Sequence, residues 1–456
     1  MSQHKIVKLP NWVIPESEGY LNELGKDGWE LTHVYNQHAY MKSTAAGTIA
    51  SGSLNPAVDA FGRSRVSEPF TLGDYKHIFG IEDQLFINKL NGDGAITNNI
   101  NHSSTVLSAT TSGSYAIHQS KMYHHYMPGK SQVILASFVL GAAVSGSTKR
   151  IGYFDDYNGI FLEQDATGSL QFVIRSATGG TGSLTEERVT QANWNVNTVS
   201  NNEFTLDITK TQLLYIDFQW LAVGRVRCGF VHKGITVICH VFDHTNILDV
   251  PYMQNPNLPV RCEIRNSVSA SSSMEQICST VMSEGGYAES GKAYAVSNDT
   301  FRSLASGSTM PVLAIRLKNS VNGMPNRAFV RIQEAAIFTD QQTIRYILTK
   351  LPSGSMLTTS SAWVSVDNDS SVVEYNTSAT AYSDGKVLLT GFVGANSLNI
   401  NQANPLVQTH AGVTNKQNFI AQNYSSNDSE IYVLVAKNMT NSATNIGGTM
   451  LWSEIY

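Results

Sequence analysis

Asp155, Asp156, Asp217, Glu263 and Glu275 are the carboxylates whose surroundings would suit glycan cleavage. That chemistry needs two acids about 5–9.5 Å apart, one on each side of the scissile bond. Sandwich-type glycanases present several acids in alternate positions of one strand, and no stretch of Glu-x-Asp type is expected here. Asp217 with Trp220 has a second use. An aromatic face stacks on a sugar ring while a carboxylate holds its hydroxyls, and Trp363 and Tyr432 offer the same service near the C-terminal end. The competing reading of Asp217 and Trp220 is a strand-end pair packed into its own domain.

Metal chemistry has less to build on. His124 and His125 are adjacent, so on a strand they diverge. His240 and His244 are four apart in a segment that reads as strand and turn, and His232 sits in a hairpin loop; no third ligand is supplied by spacing. Asp155-Asp156-Tyr157-Asn158-Gly159 has the acids of a calcium loop but lacks the alternation and closing Glu of an EF-hand, and it reads as a plain turn. The cysteines, Cys228, Cys239, Cys262 and Cys278, form no Cys-x-x-Cys pair and match no zinc template. Their apolar neighbours predict buried free thiols of a reduced compartment. No Gly-x-Ser-x-Gly elbow or phosphate-binding loop occurs. The expectation is no catalytic residue, no metal and no cofactor.

The elements that would position these residues are β-strands. Hydrophobic residues make up 42% of the 456-residue chain and charged residues only 15%, against roughly 25% in ordinary soluble domains. Neutral hydroxyls and amides fill the difference and suit large protein–protein contacts. A net charge of -5 argues against nucleic-acid binding. The longest apolar run, near Val133 to Val144, is far short of the roughly 20 residues that span a bilayer, so no membrane insertion is expected. Met1-Ser2-Gln3-His4-Lys5 is followed by no apolar signal region.

Residues 1–42 read as a small α+β unit of order β-α-β-β: a strand from Lys5, a short helix opened by Pro15, Glu16 and Glu18 and closed by Gly25, a strand at Trp29 to Tyr35, and a partner at Ala39 to Lys42. Residues 43–58 have the composition of a flexible linker. Residues 59–350 carry many short strands without helical periods, the pattern of a β-sandwich or jelly roll, with Val226 to Val231 and Ile235 to Phe242 joined through His232-Lys233-Gly234 as a three-residue hairpin loop. A helix is expected at Asp340 to Leu348. Residues 351–456 read as a separate C-terminal β-sandwich. The fold class is mainly β.

Asp59-Ala60-Phe61-Gly62-Arg63-Ser64-Arg65-Val66-Ser67-Glu68-Pro69 resembles an opening motif of tailed-bacteriophage virion proteins. So does Gly224-Arg225-Val226-Arg227-Cys228-Gly229-Phe230-Val231, followed by His240, Pro251-Tyr252-Met253, Asn257-Leu258-Pro259-Val260, Glu275-Gln276-Ile277-Cys278-Ser279 and Ser283-Glu284-Gly285-Gly286. The resemblance covers about residues 59–350. It implies a non-enzymatic structural component of a phage particle, made in a host bacterial cytoplasm and located in the virion, on a tail, neck or capsid. The expected partners are other virion proteins and further copies of this chain, in a trimer or ring. Phe61, Arg63 and Arg65 share one strand parity, and two guanidiniums there would grip carboxylates or carbonyls across a subunit contact or within their own domain. Trp29, in the N-terminal module, is a further interface candidate. The alternatives are a receptor-recognition module that binds host surface glycan and a glycan depolymerase.

Overall fold

The structure, a computed structural model, describes residues 4–8, 29–35, 38–43, 58, 63–66, 68–180, 183–200, 204–287, 291–298, 300–394, 419–425 and 427–456. It divides into two units, Met1–Ser64 and Arg65–Tyr456. Among the described residues there is no α-helix; almost all regular structure is strand.

The first unit holds a three-stranded antiparallel sheet, with His38–Ser43 between His4–Lys8 and Trp29–Tyr35. These are the strands of the β-α-β-β reading. Its helix and most of the 43–58 linker lie outside the described residues, as does Phe61.

The second unit contains two β-sandwiches. In the first, a seven-stranded antiparallel sheet runs in the order Thr185–Thr190, Leu170–Ser176, Gly159–Gln164, Ser147–Phe154, Val260–Asn266, Tyr115–Ser120, Phe86–Asn91. It faces a larger sheet ordered Ile235–Phe242, Val226–His232, Gln212–Phe218, Ser131–Val139, Ser272–Glu284, Ser104–Ala109, Ala95–Asn99, with Phe70–Lys76 also paired to Ser272–Glu284. Alternation decides which side chains meet between the sheets. Ile151 and Tyr153, Ile160 and Leu162, Phe172 and Ile174 point inward from the first sheet. Leu214, Ile216 and Phe218 and Cys228 and Phe230 answer from the second, in one continuous core. All four cysteines are free, and Cys228, Cys239 and Cys262 are buried.

The second sandwich sets Val364–Ser365, Val373–Asn376, Thr309–Leu317, Ile431–Asn438, Ile344–Leu351 and Lys386–Val393 in one sheet. The other is built on the long strand Thr444–Ile455, which pairs with Lys292–Ser297, Arg302–Leu304 and Phe329–Thr339. Trp452, Leu434, Ile315 and Val330 form its core.

Three expectations are corrected. The sandwiches divide between Glu284 and Lys292, not at residue 351, because the strands of 292–351 find their partners in 431–455. The segment expected as a helix at 340–348 is a strand, Ile344–Leu351, hydrogen-bonded on both sides. Its β-branched Ile344 and Ile347 and aromatic Tyr346 suit a pleated surface. The hairpin at 232–235 has a two-residue loop, since His232 pairs directly with Ile235. Lys233 and Gly234 both take positive φ, 51° and 75°, the geometry of a type I′ turn.

Candidate functional site

Every second residue of the seven-stranded sheet points away from the core. On Val260–Asn266 these are Arg261, Glu263 and Arg265; on Ser147–Phe154, Arg150 and Phe154; on Gly159–Gln164, Phe161 and Glu163. The register lines up Glu263, Arg150, Glu163 and Gln171 as direct neighbours across four strands. Strand spacing of about 4.8 Å brings such side chains within bonding reach.

The row is fully connected. Arg150 donates through Nε to Glu163 Oε2 at 2.5 Å and through Nη1 to Glu263 Oε1 at 2.7 Å. Gln171 Nε2 donates to Glu163 Oε1 at 2.6 Å, and Arg188 bridges Glu163 and Glu186. Glu263 also receives Arg261 and Arg265, and Arg261 Nη1 reaches Asp156 Oδ1 at 2.8 Å. Arg175 joins Glu186 Oε1, 2.7 Å, to the Asp155 carbonyl, 2.8 Å. Phe154, Phe161 and Val173 pack beneath, with the Arg261 and Arg175 guanidiniums 5.1 and 5.0 Å from Phe154 and Phe161. The aromatic faces stabilise those cations where water is scarce.

Burial by itself would raise the Glu263 carboxyl. Arg261, Arg150 and Arg265 outweigh that and hold it well below the carboxylate range. Asp156 is lowered in the same way, against its burial, by Arg261 and the Tyr424 hydroxyl. Asp155 is different: burial raises it, opposed by the N–H groups of Asn158 and Tyr157, which its Oδ1 accepts at 2.8 Å each. It ties the tight turn expected at 155–159.

Over this floor lies an open cleft of about 490 Å³, lined by Lys89, Arg150, Asp156, Arg175, Leu184, Glu186, Glu263, Arg265 and Tyr424. It reaches across the sheet from the strand Phe86–Asn91 to Thr185–Thr190. Tyr424 comes from the second sandwich and donates to Asp156 at 2.6 Å, and nearby Glu430 of the same segment accepts Lys121 at 2.8 Å. The two sandwiches thus share one wall of the site. The floor offers N–H donors and carboxylate acceptors in alternation, an array that pairs with hydroxyl-rich or charged ligands.

The sequence candidates fall on both sides of this result. Glu263 and Asp156 are brought together through Arg261. Glu275 instead pairs with His102 and Ser104. Asp217 is wholly buried, held by Arg65 and Arg227, so it faces no sugar. Trp220 is half-buried, with its indole N–H on the Met253 carbonyl at 2.9 Å. Both follow the packed reading. Tyr432 is wholly buried in the second core and lines no groove. Trp363 is half-buried under the Arg316 guanidinium, 4.2 Å away. Arg65 makes its contacts within its own chain, donating to Tyr215 Oη at 2.9 Å, whereas Arg63 is exposed. Trp29 lies on the strand Trp29–Tyr35. His124 Nε2 meets Tyr75 Oη at 2.8 Å, and His244 Nδ1 meets the Gly224 carbonyl at 2.6 Å.

Sequence reasoning missed Lys89, Arg150, Glu163, Arg188, Arg265 and Tyr424. One signal was available. The expectation of no Glu-x-Asp stretch is corrected by Glu163-Gln164-Asp165, an alternating acid pair at a strand end; Glu163 enters the floor, and Asp165 takes the Thr167 and Ser169 N–H groups in the following turn, at 2.8 and 2.9 Å.

No family model and no curated protein matches the chain. Among solved structures, a protein of unknown function from Shewanella oneidensis MR-1 is 10% identical, covering 50% of this chain and 92% of its own, with a TM-score of 0.33. A family 16 endo-glucanase from Bacteroides ovatus is 11% identical over 46% of this chain and 99% of its own, TM-score 0.32. A legume lectin-like domain from Entamoeba histolytica is 12% identical over 48% and 100%, TM-score 0.30. Against the expectation of a non-enzymatic chain stand several matches that are glucanases or glycoside hydrolases, at TM-scores of 0.30 to 0.32. The mainly β fold class, with its β-sandwiches, rests on the chain's own sheets.

Proposed function

We propose that this chain binds glycan in the cleft across the seven-stranded sheet. The observation that carries the reading is an open cleft above a connected row of carboxylates and guanidiniums. Sugar hydroxyls both donate and accept, and such a row meets each of them with a fixed, charged partner whose geometry is set before the ligand arrives. Lectin-like and glucanase structures among the matches are consistent with that use.

Calorimetric titration with a panel of oligosaccharides tests it. Binding that is lost in Arg188→Gln, with the fold kept, supports the reading; a panel with no binder at millimolar concentration overturns it. The same mixtures are assayed for new reducing ends. Glu163, Asp165 two residues on, and Glu263 across Arg150 are the carboxylates a cleavage step would draw on, so reducing ends that vanish in Glu163→Gln extend the function from binding to hydrolysis.

The setting we propose is the one the sequence resemblance implies, an appendage of a tailed-phage particle in which this cleft meets the host surface. Peptides of the chain in purified particles, read by mass spectrometry, support that setting. Their absence removes it and leaves the binding untouched.

A further inference from the structure

The two ends of the cleft are not equally balanced. Towards the Thr185–Thr190 edge, Arg175 and Arg188 meet Glu186 and Glu163. Towards the Phe86–Asn91 edge, Arg150, Arg261, Arg265 and Lys89 surround only Glu263 and Asp156. Arg150 shares its charge with both ends, yet the second end still carries the surplus, on a chain whose net charge is -5.

Two of those cations have donors to spare. Arg265 uses Nε on Glu263 Oε1 at 2.5 Å, and its side chain is 39% exposed. Its Nη1 and Nη2 make no hydrogen bond among the described residues. Lys89 Nζ likewise makes none there; it lies 4.1 Å from the Tyr424 ring centre and 6.0 Å from that of Tyr115. The Arg265 guanidinium is 4.7 Å from the same Tyr115 ring. Aromatic faces hold both groups at the cleft mouth while leaving the Arg265 Nη and Lys89 Nζ donors unspent, and the carboxylate that Arg265 reaches, Glu263, is already shared among three guanidiniums.

We infer that Lys89 and Arg265 form an anion-binding subsite, and that the ligand of this cleft is an acidic glycan carrying a carboxylate or sulfate group. The inference rests on the glycan-binding reading and narrows it to charged sugars. A guanidinium edge takes a carboxylate through two parallel hydrogen bonds, and the ammonium adds a point charge. With the ring walls excluding water on one side, the pair acts at short range and is weakened by salt.

The test uses the full chain and four probes by calorimetry: a hexuronate oligosaccharide, a sulfated oligosaccharide, a neutral oligosaccharide of equal length, and inorganic sulfate. The expected result is affinity for one or both acidic sugars at least about tenfold above the neutral one, as a charge-assisted contact supplies. It falls with added salt and drops about tenfold in Lys89→Gln. Which acidic sugar binds tells carboxylate from sulfate. Arg265→Gln gives a second reading, with circular dichroism to confirm the fold. Equal affinity for the neutral sugar, or no change in Lys89→Gln, overturns the anion subsite and leaves glycan binding standing. Binding of inorganic sulfate alone marks an adventitious ion site and overturns the inference. Failure of every sugar removes the glycan reading itself.

Discussion

Both outer faces of the first sandwich carry ion pairs across neighbouring strands, and they use them in opposite ways. On the larger sheet, Asp217 and Arg227 face each other on paired strands, both fully buried. Arg65, arriving from the chain preceding the first core strand, closes over them with Tyr215 and Glu284. On the seven-stranded sheet the pairs run on through four strands and end under an open cleft. Buried pairs contribute little net stability when whole and are costly when broken, because the remaining charge has no water. The sealed face is therefore expected to hold stability, and the open face to hold binding.

The largest expected effect tests the sealed side. Arg227→Leu leaves Asp217 in the dry face with Arg65 as its remaining cation, and the loss should be about 3–5 kcal/mol, read from urea unfolding of the first sandwich by tryptophan fluorescence. A loss below about 1 kcal/mol would place this pair with ordinary surface bridges and break the contrast.

Protonation sharpens it. Behind the open face, His118 points into the core beside His77, their ring centres 5.1 Å apart, with Phe86 stacked on His118 at 4.0 Å. Burial pushes His77 down to about 4 and His118 well below its ordinary value. The unfolded chain takes up these protons near pH 6.5 and the folded chain does not, so stability falls as pH drops from about 6.5 towards 4. The His77 share is about 2–4 kcal/mol by linkage. Urea midpoints over that range should fall less steeply in His77→Phe; equal slopes would show that His77 is not held neutral.

The smallest stability effect belongs to the open face. Arg188 is 33% exposed, and Arg188→Gln should cost under about 1 kcal/mol while weakening oligosaccharide binding at least about tenfold. A variant that stays folded but loses about 3 kcal/mol or more of stability, yet binds as before, would reverse the assignment of the two faces.

Much of the fold was legible in the chain because strand alternation and turn chemistry are local. The strand at 29–35, the turn tied by Asp155 and the hairpin about Gly234 need only neighbours in sequence. The strand at 344–351 was misread because its apolar residues are also compatible with a short helical stripe, and its partners lie at 386–393 and 431–438. The boundary between sandwiches was misplaced for the same reason. Of the site, Glu263 and Asp156 could be named as carboxylates, but Arg261, Glu263 and Arg265 alternate sign, and a search for alternating acids passes over them. The row from Glu263 through Arg150 to Glu163 draws on strands distant in the chain, and Tyr424 comes from another domain. Sequence spacing carries no trace of that convergence.

The strand Thr444–Ile455 gives the two sandwiches different histories. All the strands of the first lie within 70–284, so it closes on itself as soon as they have been synthesised. The apolar strands of 292–351 must wait for 431–455 before they have partners on both sides. At about 5–20 residues synthesised per second that interval is on the order of ten seconds, during which one finished sandwich trails a set of sticky, half-matched edges. Slow translation, or crowding of several nascent chains on one message, is where this protein would tangle with its own copies.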